Sequence, residues 1–429
     1  MTLVLFLAVL FFGIFVGLPI AFALLLASIA LMIQLDTFSS DILAQGLVNG
    51  VDSFPLLAIP FFLVAGEVMS RGGLSTKIVA LAMTLVGHRR GGLGYVAIIT
   101  AIILAGLSGS AVADAAALVS ILYPMMRKAG YPEARSLGLL ASGGIIAPII
   151  PPSLPLILIG VAGNISIGKL FMAGIAPGLM MGLTLMVVWR YLMRNEEIET
   201  LPRASGQERL AALKDGFWAL LLPVIIIGGI RSGAFTPTEA AVVAAVYAIV
   251  ISLLVYRSLT WRLMFEVLLS AARSTAMVMF LVGAAMVASW LITVAQLPQQ
   301  LGVLLAPLID NPRLLMLVIM LIVFAVGMVM DLAPTILILV PLFMPLTALA
   351  GIDPVYFGLM FVLNCSIGLI TPPVGTVLNV ICGVSKISMS KAVRGVAPFV
   401  AAYTVLLGLF ILFPELITIP AGFLGGTAR

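Results

Sequence analysis

The sequence predicts an all-α, polytopic membrane protein that contains two inverted structural repeats. Three observations lead to this fold class. The chain of 429 residues is 62% hydrophobic and only 9% charged, which leaves too little polar surface to cover a protein of this size in water. Runs such as 2–33 and 314–330 contain no Lys, Arg, Asp or Glu and approach or exceed the roughly 20 residues that span a bilayer as a helix. The third observation is a pattern of glycine and proline that recurs along the chain.

This recurrence relates 106–177 to 327–398. Seven Gly and Pro positions are matched 221 residues later without a gap, namely Gly106 by Gly327, Pro124 by Pro345, Gly130 by Gly351, Pro151 and Pro152 by Pro372 and Pro373, Gly174 by Gly395, and Pro177 by Pro398. Backbone-breaking residues that return at one constant shift are typical of a duplicated membrane fold. We therefore predict a first repeat over 1–193, a cytoplasmic linker over 194–215 and a second repeat over 216–429.

The first repeat begins with an apolar stretch over 2–34. Pro19 divides it into two halves, which we interpret as two crossings. Segment 35–53 has aspartates but no Lys or Arg and is expected outside, whereas 71–90 is basic and is expected on the cytoplasmic surface. The apolar segment 54–70 crosses between them.

A re-entrant helical hairpin is predicted over 91–126. Its two apolar halves meet at 107–110, and the basic segment 127–135 that follows it resembles the basic segment that precedes it. A segment with cytoplasmic flanks on both sides must turn back inside the membrane.

A broken helix is predicted over 136–163, because Pro148, Pro151 and Pro152 interrupt its apolar run. Proline removes backbone donors and leaves carbonyl groups unpaired, which ends a helix inside the membrane. The segment 169–193 then returns to the cytoplasm.

The second repeat starts with a pair of apolar segments, 217–230 and 237–256, and contains a second hairpin over 314–348 and a second broken helix over 355–383. Each repeat then has five crossings plus one hairpin. Because five is odd, the second repeat must be inverted relative to the first. The basic residues that follow the second broken helix fit an inside location: Lys386, Lys391 and Arg394.

Polar residues at the hairpin tips are candidates for a functional site. Asp114 and Asp331 follow the tips within apolar sequence. An ionisable group is costly there and is by default a candidate functional residue. The alternative for both is a carboxylate that caps a half-helix. Ser108, Gly109 and Ser110 offer hard oxygen ligands for a cation, and the alternative is a set of small residues that allow close packing.

The broken helices add a second group of candidates. Half-helix N-termini attract anions, and unwound carbonyl groups attract cations. For Ser153 and Thr376 the alternative is a hydroxyl bonded to its own helix backbone. The residues concerned are Gly143, Gly144, Pro148 and Ser153 in the first copy, and Asn364, Ser366, Thr371, Gly375, Thr376 and Asn379 in the second.

Five segments together resemble the large membrane subunit of tripartite ATP-independent periplasmic (TRAP) transporters. They are GLSGSAVAD (106–114), GGIIAPIIPPS (143–153), PTEAA (237–241), VGMVMDLAPTILILVP (326–341) and NCSIGLITPPVG (364–375). The resemblance covers nearly the whole chain. It implies an elevator-type ion-transporter fold, in which a transport domain slides against a scaffold.

By this resemblance the chain is expected to be the transport subunit of a sodium symporter in the bacterial inner membrane. The implied partners are a small four-helix membrane subunit, a soluble periplasmic substrate-binding protein and the lipid bilayer, with sodium as the coupling ion and no organic cofactor. The implied substrates are organic acids: C4-dicarboxylates, sialic acid, keto acids and sugar acids. The chain begins directly with the large-subunit pattern and looks like the unfused form, which needs a separate small subunit.

Two sodium sites are predicted on this basis. The first comprises Ser108, Gly109 and Ser110 with Gly143, Gly144 and Pro148, and the second comprises Met330, Asp331 and Thr335 with Thr371 and Gly375. The predicted substrate-binding residues are Asp114, Ser153, Asn364, Ser366, Thr376 and Asn379.

Other classes of protein are disfavoured. The sequence has no GxxxxGK[ST] motif of an ATP-driven pump and no HExxH motif of a zinc-dependent intramembrane enzyme. It has no basic stripe with interleaved aromatic residues, so no nucleic-acid partner is expected. A single-component, cation-coupled organic anion symporter of similar elevator fold remains the alternative function.

Overall fold

The computed structural model describes residues 2–425 apart from 197, 199 and 201, and within this part of the chain the secondary structure is helical throughout. Twenty α-helices are joined by short turns. One short 3₁₀ helix, Phe54–Leu57, and one short π-helical segment, Ile251–Val255, adjoin them. Residue 1, at the predicted start of the first repeat, and residues 426–429, at the predicted end of the second repeat, lie outside the described residues.

The first half of the chain forms ten helices. These are α1 (Thr2–Phe15), α2 (Ile20–Gln34), α3 (Ser40–Val51), α4 (Ala58–Arg71), α5 (Leu74–Val86), α6 (Gly92–Ser108), α7 (Ala111–Lys128), α8 (Glu133–Gly144), α9 (Leu154–Ala162) and α10 (Ile167–Leu192). Gly17, at φ +90°, and Pro19 separate α1 from α2, as the sequence predicts. Whether each of these helices crosses the membrane stays a prediction.

The segment 35–53 is not simply an outer loop, because most of it forms α3. The Ser39 side chain caps this helix by accepting a hydrogen bond from the Ile42 amide at 3.4 Å. Gly46 and Gly50 then allow α3 to lie close against the side chains of Val287 and Met286.

The second half also forms ten helices. These are α11 (Gly206–Arg231), α12 (Pro237–Val250), α13 (Trp261–Val294), α14 (Leu297–Ile309), α15 (Pro312–Gly327), α16 (Leu332–Leu349), α17 (Pro354–Gly368), α18 (Thr376–Ser385), α19 (Met389–Leu412) and α20 (Glu415–Gly425).

The predicted linker over 194–215 includes the start of α11, which begins at Gly206. The reason is local: Ser205 and Glu208 form a capping box, in which each side chain bonds the other residue's amide. The assignment of 194–215 as a cytoplasmic linker between the repeats stays a prediction, and residues 197, 199 and 201 within it lie outside the described residues.

The helix bounds repeat at the shift of 221 residues. Adding 221 to the ends of α7 gives 332 and 349, which are the ends of α16. The ends of α6, α8, α9 and α10 likewise fall within three residues of those of α15, α17, α18 and α19. The opposite orientation of the two repeats across the bilayer stays a prediction.

Seven helical spans in the described part of the chain are long and apolar enough to cross a membrane, which supports a multi-pass membrane protein. They are Phe54–Arg71, Ile167–Leu192, Gly206–Arg231, Pro237–Val255, Trp261–Val294, Leu332–Leu349 and Met389–Leu412. One of these spans is α16, the second arm of the second hairpin. The re-entrant course of that hairpin therefore stays a prediction.

The interrupted helices occupy the centre of the molecule. In α17 every residue from Tyr356 to Gly368 is buried, and in α8 the same holds from Ser136 to Gly144. Helices that are apolar all round are expected in such interior positions. The backbones of α8 and α19 cross so closely that Gly138 and Gly395 have no room for a Cβ atom.

Candidate functional site

The tip of the first hairpin is a two-residue turn between α6 and α7. Gly109 has a left-handed backbone, with φ +62°, which glycine adopts without the steric penalty of a side chain. Ser110 caps α7 by accepting a hydrogen bond from the Ala113 amide at 3.4 Å. The Ser108 hydroxyl in turn accepts a hydrogen bond from the Ser110 amide at 3.2 Å.

The first broken helix is interrupted between Gly144 and Leu154, as the prolines predict. The Ser153 hydroxyl donates to the carbonyl oxygen of Pro148 at 2.5 Å and accepts from the Leu156 amide at 3.3 Å. Both bonds are to the local backbone, as in the alternative given for Ser153, and its role in substrate binding stays a prediction. The carbonyl oxygens of Gly143 and Gly144 accept hydrogen bonds from the amides of Ile146 and Ala147.

The first tip packs directly against this interruption. A Cβ atom added to Gly109 would lie 2.6 Å from the carbonyl oxygen of Pro152 and 3.0 Å from the Cα of Ser153. One turn further on, Gly144 allows the same close approach to Ala115. The structure therefore brings together the two elements from which the first sodium site is predicted.

A cavity of 320 Å³ lies beside this tip, between the hairpin and helices α4 and α13. Asp114 lines the cavity and is only 4% exposed. One carboxylate oxygen accepts a hydrogen bond from Ser108, and the other has no protein donor among the described residues. Ser110, rather than Asp114, caps α7, so the capping alternative for Asp114 is wrong.

The opposite wall of the cavity contains polar residues outside the predicted site set. Glu67 on α4 accepts hydrogen bonds from Arg71 and from the Ser270 hydroxyl of α13, both at 3.0 Å. Ser70, Ser75 and Ser274 line the same cavity. In the sequence these residues could have been recognised as polar positions on otherwise apolar helices. That they line one cavity depends on how α4 and α13 pack.

The second hairpin turns at residues 328–331. Asp331 holds the N-cap position of α16, yet its side chain makes no capping hydrogen bond and is exposed. The Thr335 hydroxyl donates to the carbonyl oxygen of Asp331 at 2.8 Å, and Met330 is buried. The carboxylate of Asp331 is thus available to an external ligand.

The second tip also packs against its broken helix. The carbonyl oxygen of Met328 accepts hydrogen bonds from the amides of Val374 and Gly375, both at 3.3 Å. Val374 is the residue that corresponds to Ser153 at the shift of 221, so each tip contacts the position that follows the proline pair. The Pro151–Pro152 and Pro372–Pro373 peptide bonds are both cis.

Two other predicted residues line the second interruption. The Thr371 hydroxyl donates to the carbonyl oxygen of Ile367 at 2.8 Å and keeps its lone pairs free for a cation. Gly375 has a left-handed backbone, with φ +53°, at the start of α18.

The predicted substrate-binding residues of the second copy fall into two groups. Asn364 and Ser366 are fully buried in α17, where they donate hydrogen bonds to the carbonyl oxygens of Met320 and Val362. Asn379 is exposed, and the Thr376 hydroxyl has no hydrogen-bond partner among the described residues, so the backbone-bonded alternative for Thr376 is wrong.

The arrangement as a whole offers carboxylate, hydroxyl and carbonyl oxygen atoms where two hairpin tips meet two helix interruptions. Oxygen ligands of this kind suit a hard cation such as sodium, and the N-terminus of α18 suits an anion. The role of each individual residue as an ion or substrate ligand stays a prediction.

Comparison with known proteins gives a consistent picture. Over residues 7–416 the chain matches the family model described as the tripartite ATP-independent periplasmic transporter, DctM component. It is 58% identical over 420 residues to the 2,3-diketo-L-gulonate TRAP transporter large permease protein of Escherichia coli, which covers 98% of this chain and 99% of that protein. It is 40% identical over 412 residues to the sialic acid TRAP transporter large permease protein of Vibrio cholerae, which covers 96% of each.

Among solved structures, the chain resembles the YdaH transporter of Alcanivorax borkumensis. The TM-score is 0.68, and the match covers 90% of this chain and 91% of that one, at 16% sequence identity. At this level of identity the likeness concerns the fold alone.

Proposed function

Since the chain belongs to the DctM component family of tripartite ATP-independent periplasmic transporters, we propose that it imports a small organic acid, driven by a sodium gradient. It is a multi-pass protein of the inner membrane, and its relatives are transporter permeases rather than enzymes.

The observation that carries this proposal is the polar cavity at the first hairpin tip. Asp114 is buried in its wall, and one of its two carboxylate oxygens has no hydrogen-bond donor among the described residues. A buried carboxylate with an incomplete set of partners is costly, and a cation that binds and leaves during transport would compensate it. Sodium fits the surrounding hydroxyl and carbonyl oxygen atoms, which are hard ligands.

The substrate is proposed to be an organic anion, and a keto sugar acid is the first candidate. A relative that shares 58% of its residues with this chain is named for 2,3-diketo-L-gulonate. The start of α18 is suited to a carboxylate, because amides at a helix N-terminus carry partial positive charge. Thr376 and Asn379 provide polar side chains beside these amides.

Two protein partners are part of the proposal: a small membrane subunit and a periplasmic substrate-binding protein. The longest segment expected outside before the first hairpin, 35–53, mostly forms the single helix α3. One helix of 12 residues is far too small to be a substrate-capturing domain. A separate periplasmic protein is therefore proposed to capture the substrate.

The test is uptake into liposomes that contain the purified chain and its small subunit, with the binding protein added outside and no ATP present. We expect 2,3-diketo-L-gulonate to accumulate when a sodium gradient is imposed and not when potassium replaces sodium. Sialic acid and succinate serve as comparison substrates. Full-rate, saturable uptake by the chain alone would instead support a single-component symporter.

A further inference from the structure

Four arginines line a cavity of 560 Å³ where the turn between α5 and α6 meets the end of α10. This arginine cavity is formed by Arg89 and Arg90 from the turn and by Arg190 and Arg194 from α10 and the residues just beyond it. Its remaining walls are apolar or aromatic: Tyr95, Met186, Val187 and Met193. The cavity does not belong to the hairpin tips described above.

Buried contacts hold the two sides of the arginine cavity together. Trp189, on α10, is fully buried and donates its indole N–H to the carbonyl oxygen of Gly91 at 2.9 Å. Its ring stacks on Tyr131, with the ring centroids 6.1 Å apart and the planes at 8°. Gly94 has no room for a Cβ atom beside this ring. The turn that carries Arg89 and Arg90 is thereby fixed next to Arg190.

The charges in the arginine cavity are not neutralised within the described part of the chain, where no carboxylate lies within 4.0 Å of any of the four guanidinium groups. Arg90 bonds the backbone carbonyl of Glu196, whose carboxylate binds Arg135 instead. The helix dipole favours cations at the end of α10 but does not account for those on the turn. Four like charges around one cavity repel one another, which favours an anionic ligand.

An exposed apolar stripe leads along α10 to this cavity. Leu179, Leu183 and Val187 recur every four residues and therefore lie on one face of the helix, and Val187 also lines the cavity. A ligand that matches both features has an anionic head and a hydrocarbon chain.

We propose that the arginine cavity binds the phosphate headgroup of an anionic phospholipid from the cytoplasmic leaflet, with an acyl chain along Leu179, Leu183 and Val187. Basic segments favour the cytoplasmic side of the membrane, and basic pockets between transmembrane helices suit anionic headgroups. Guanidinium groups bind phosphate through paired hydrogen bonds, which makes arginine better suited to this task than lysine. Bound lipid would anchor this end of α10 at the membrane surface.

The test is native mass spectrometry of the purified chain titrated with phosphatidylglycerol, cardiolipin or phosphatidylcholine. We expect the two anionic lipids to remain bound and phosphatidylcholine to be lost. The double variant Arg89→Gln/Arg190→Gln should bind phosphatidylglycerol about 30-fold more weakly, because each cation near the membrane surface raises the affinity for an anionic lipid by a factor of about five. The matched control, Lys214→Gln/Arg262→Gln, removes two exposed charges elsewhere and should bind as the unmodified chain does.

Other outcomes would overturn the proposal. These are equal binding of phosphatidylcholine, unchanged binding by the Arg89→Gln/Arg190→Gln variant, saturable binding of inorganic phosphate without lipid selectivity, and displacement of phosphatidylglycerol by the small membrane subunit. If the glutamine variant does not fold, Arg89→Lys/Arg190→Lys retains the charges. It should bind phosphatidylglycerol more tightly than phosphatidylcholine but more weakly than the unmodified chain.

Discussion

Gly109, at the tip of the first hairpin, lies against the carbonyl oxygen of Pro152 in the first broken helix, so closely that a Cβ atom would come within 2.6 Å of that oxygen. The contact joins residues of α6–α7 to residues of α8–α9. It places the two halves of the first predicted ion site side by side. Substitutions at this point therefore test both the packing and the proposed transport function.

Gly109→Ala is expected to destabilise the protein and to abolish most uptake. Alanine in a left-handed conformation costs about 1–2 kcal/mol, and the clash with Pro152 adds about 1–3 kcal/mol. The control is Gly130→Ala, because Gly130 also has a positive φ, +78°, but has no atom within 4 Å of an added Cβ. Thermal unfolding in detergent and uptake in liposomes should both show the larger effect for Gly109→Ala. Equal effects of the two variants would contradict the close contact.

Asp114→Asn is expected to reduce uptake about 10- to 100-fold, because a hydrogen bond or ion contact to a charged group contributes about 1.5–3 kcal/mol. Its melting temperature should be unchanged or higher, since the substitution removes a buried charge that lacks a full set of partners. Asp41→Asn, in the exposed first turn of α3, is the matched control and should transport normally. Normal uptake by Asp114→Asn would exclude a role for this charge in transport.

Asp331→Ala and Ser110→Ala are each expected to raise the sodium concentration for half-maximal uptake by at least about tenfold, as loss of one ligand to a charged ion predicts. Ser110 also caps α7, and loss of a cap costs about 1 kcal/mol. Ser166→Ala separates these effects, because Ser166 caps α10 with the same 3.4 Å hydrogen bond and belongs to neither predicted site. An unchanged sodium dependence in both site variants would contradict the predicted sodium sites.

Gly395→Ala is expected to lower the free energy of unfolding by about 1–3 kcal/mol, since its Cβ atom would overlap the backbone carbonyl of Ala134 where α19 crosses α8. Gly408 lies on the same helix with no atom within 4 Å of an added Cβ. Gly408→Ala should therefore leave stability unchanged or raise it by up to about 1 kcal/mol, because alanine favours the helix. Thermal unfolding of the two variants in one detergent distinguishes these outcomes.

The hairpin tips and the helix interruptions could be predicted from the sequence because glycine and proline act on their own neighbours. Gly109 turns the chain where the sequence predicts a tip, and the prolines at 151 and 152 lie in the predicted break, between the end of α8 at Gly144 and the start of α9 at Leu154. The family was predicted correctly for the same reason, since its motifs are centred on these residues.

The sequence predicts less completely which polar side chains are buried between helices. Asn364 and Ser366 are fully buried and bond carbonyl oxygens of α15 and α17, and their predicted role in substrate binding stays a prediction. The sequence shows that these residues are polar and lie near the broken helix. It does not show on which side of α17 a neighbouring helix will lie.

The sequence by itself determined the membrane class, the family and the positions at which helices begin, turn and break, because hydropathy, charge and backbone stiffness are properties of adjacent residues. Only the tertiary structure decided that Glu67 bonds Ser270, 203 residues away, on the wall of a cavity that faces Asp114. It likewise decided that Arg89 and Arg190 share one cavity. Contacts between such distant residues depend on how all the helices pack together, and packing is a property of the whole chain rather than of any segment.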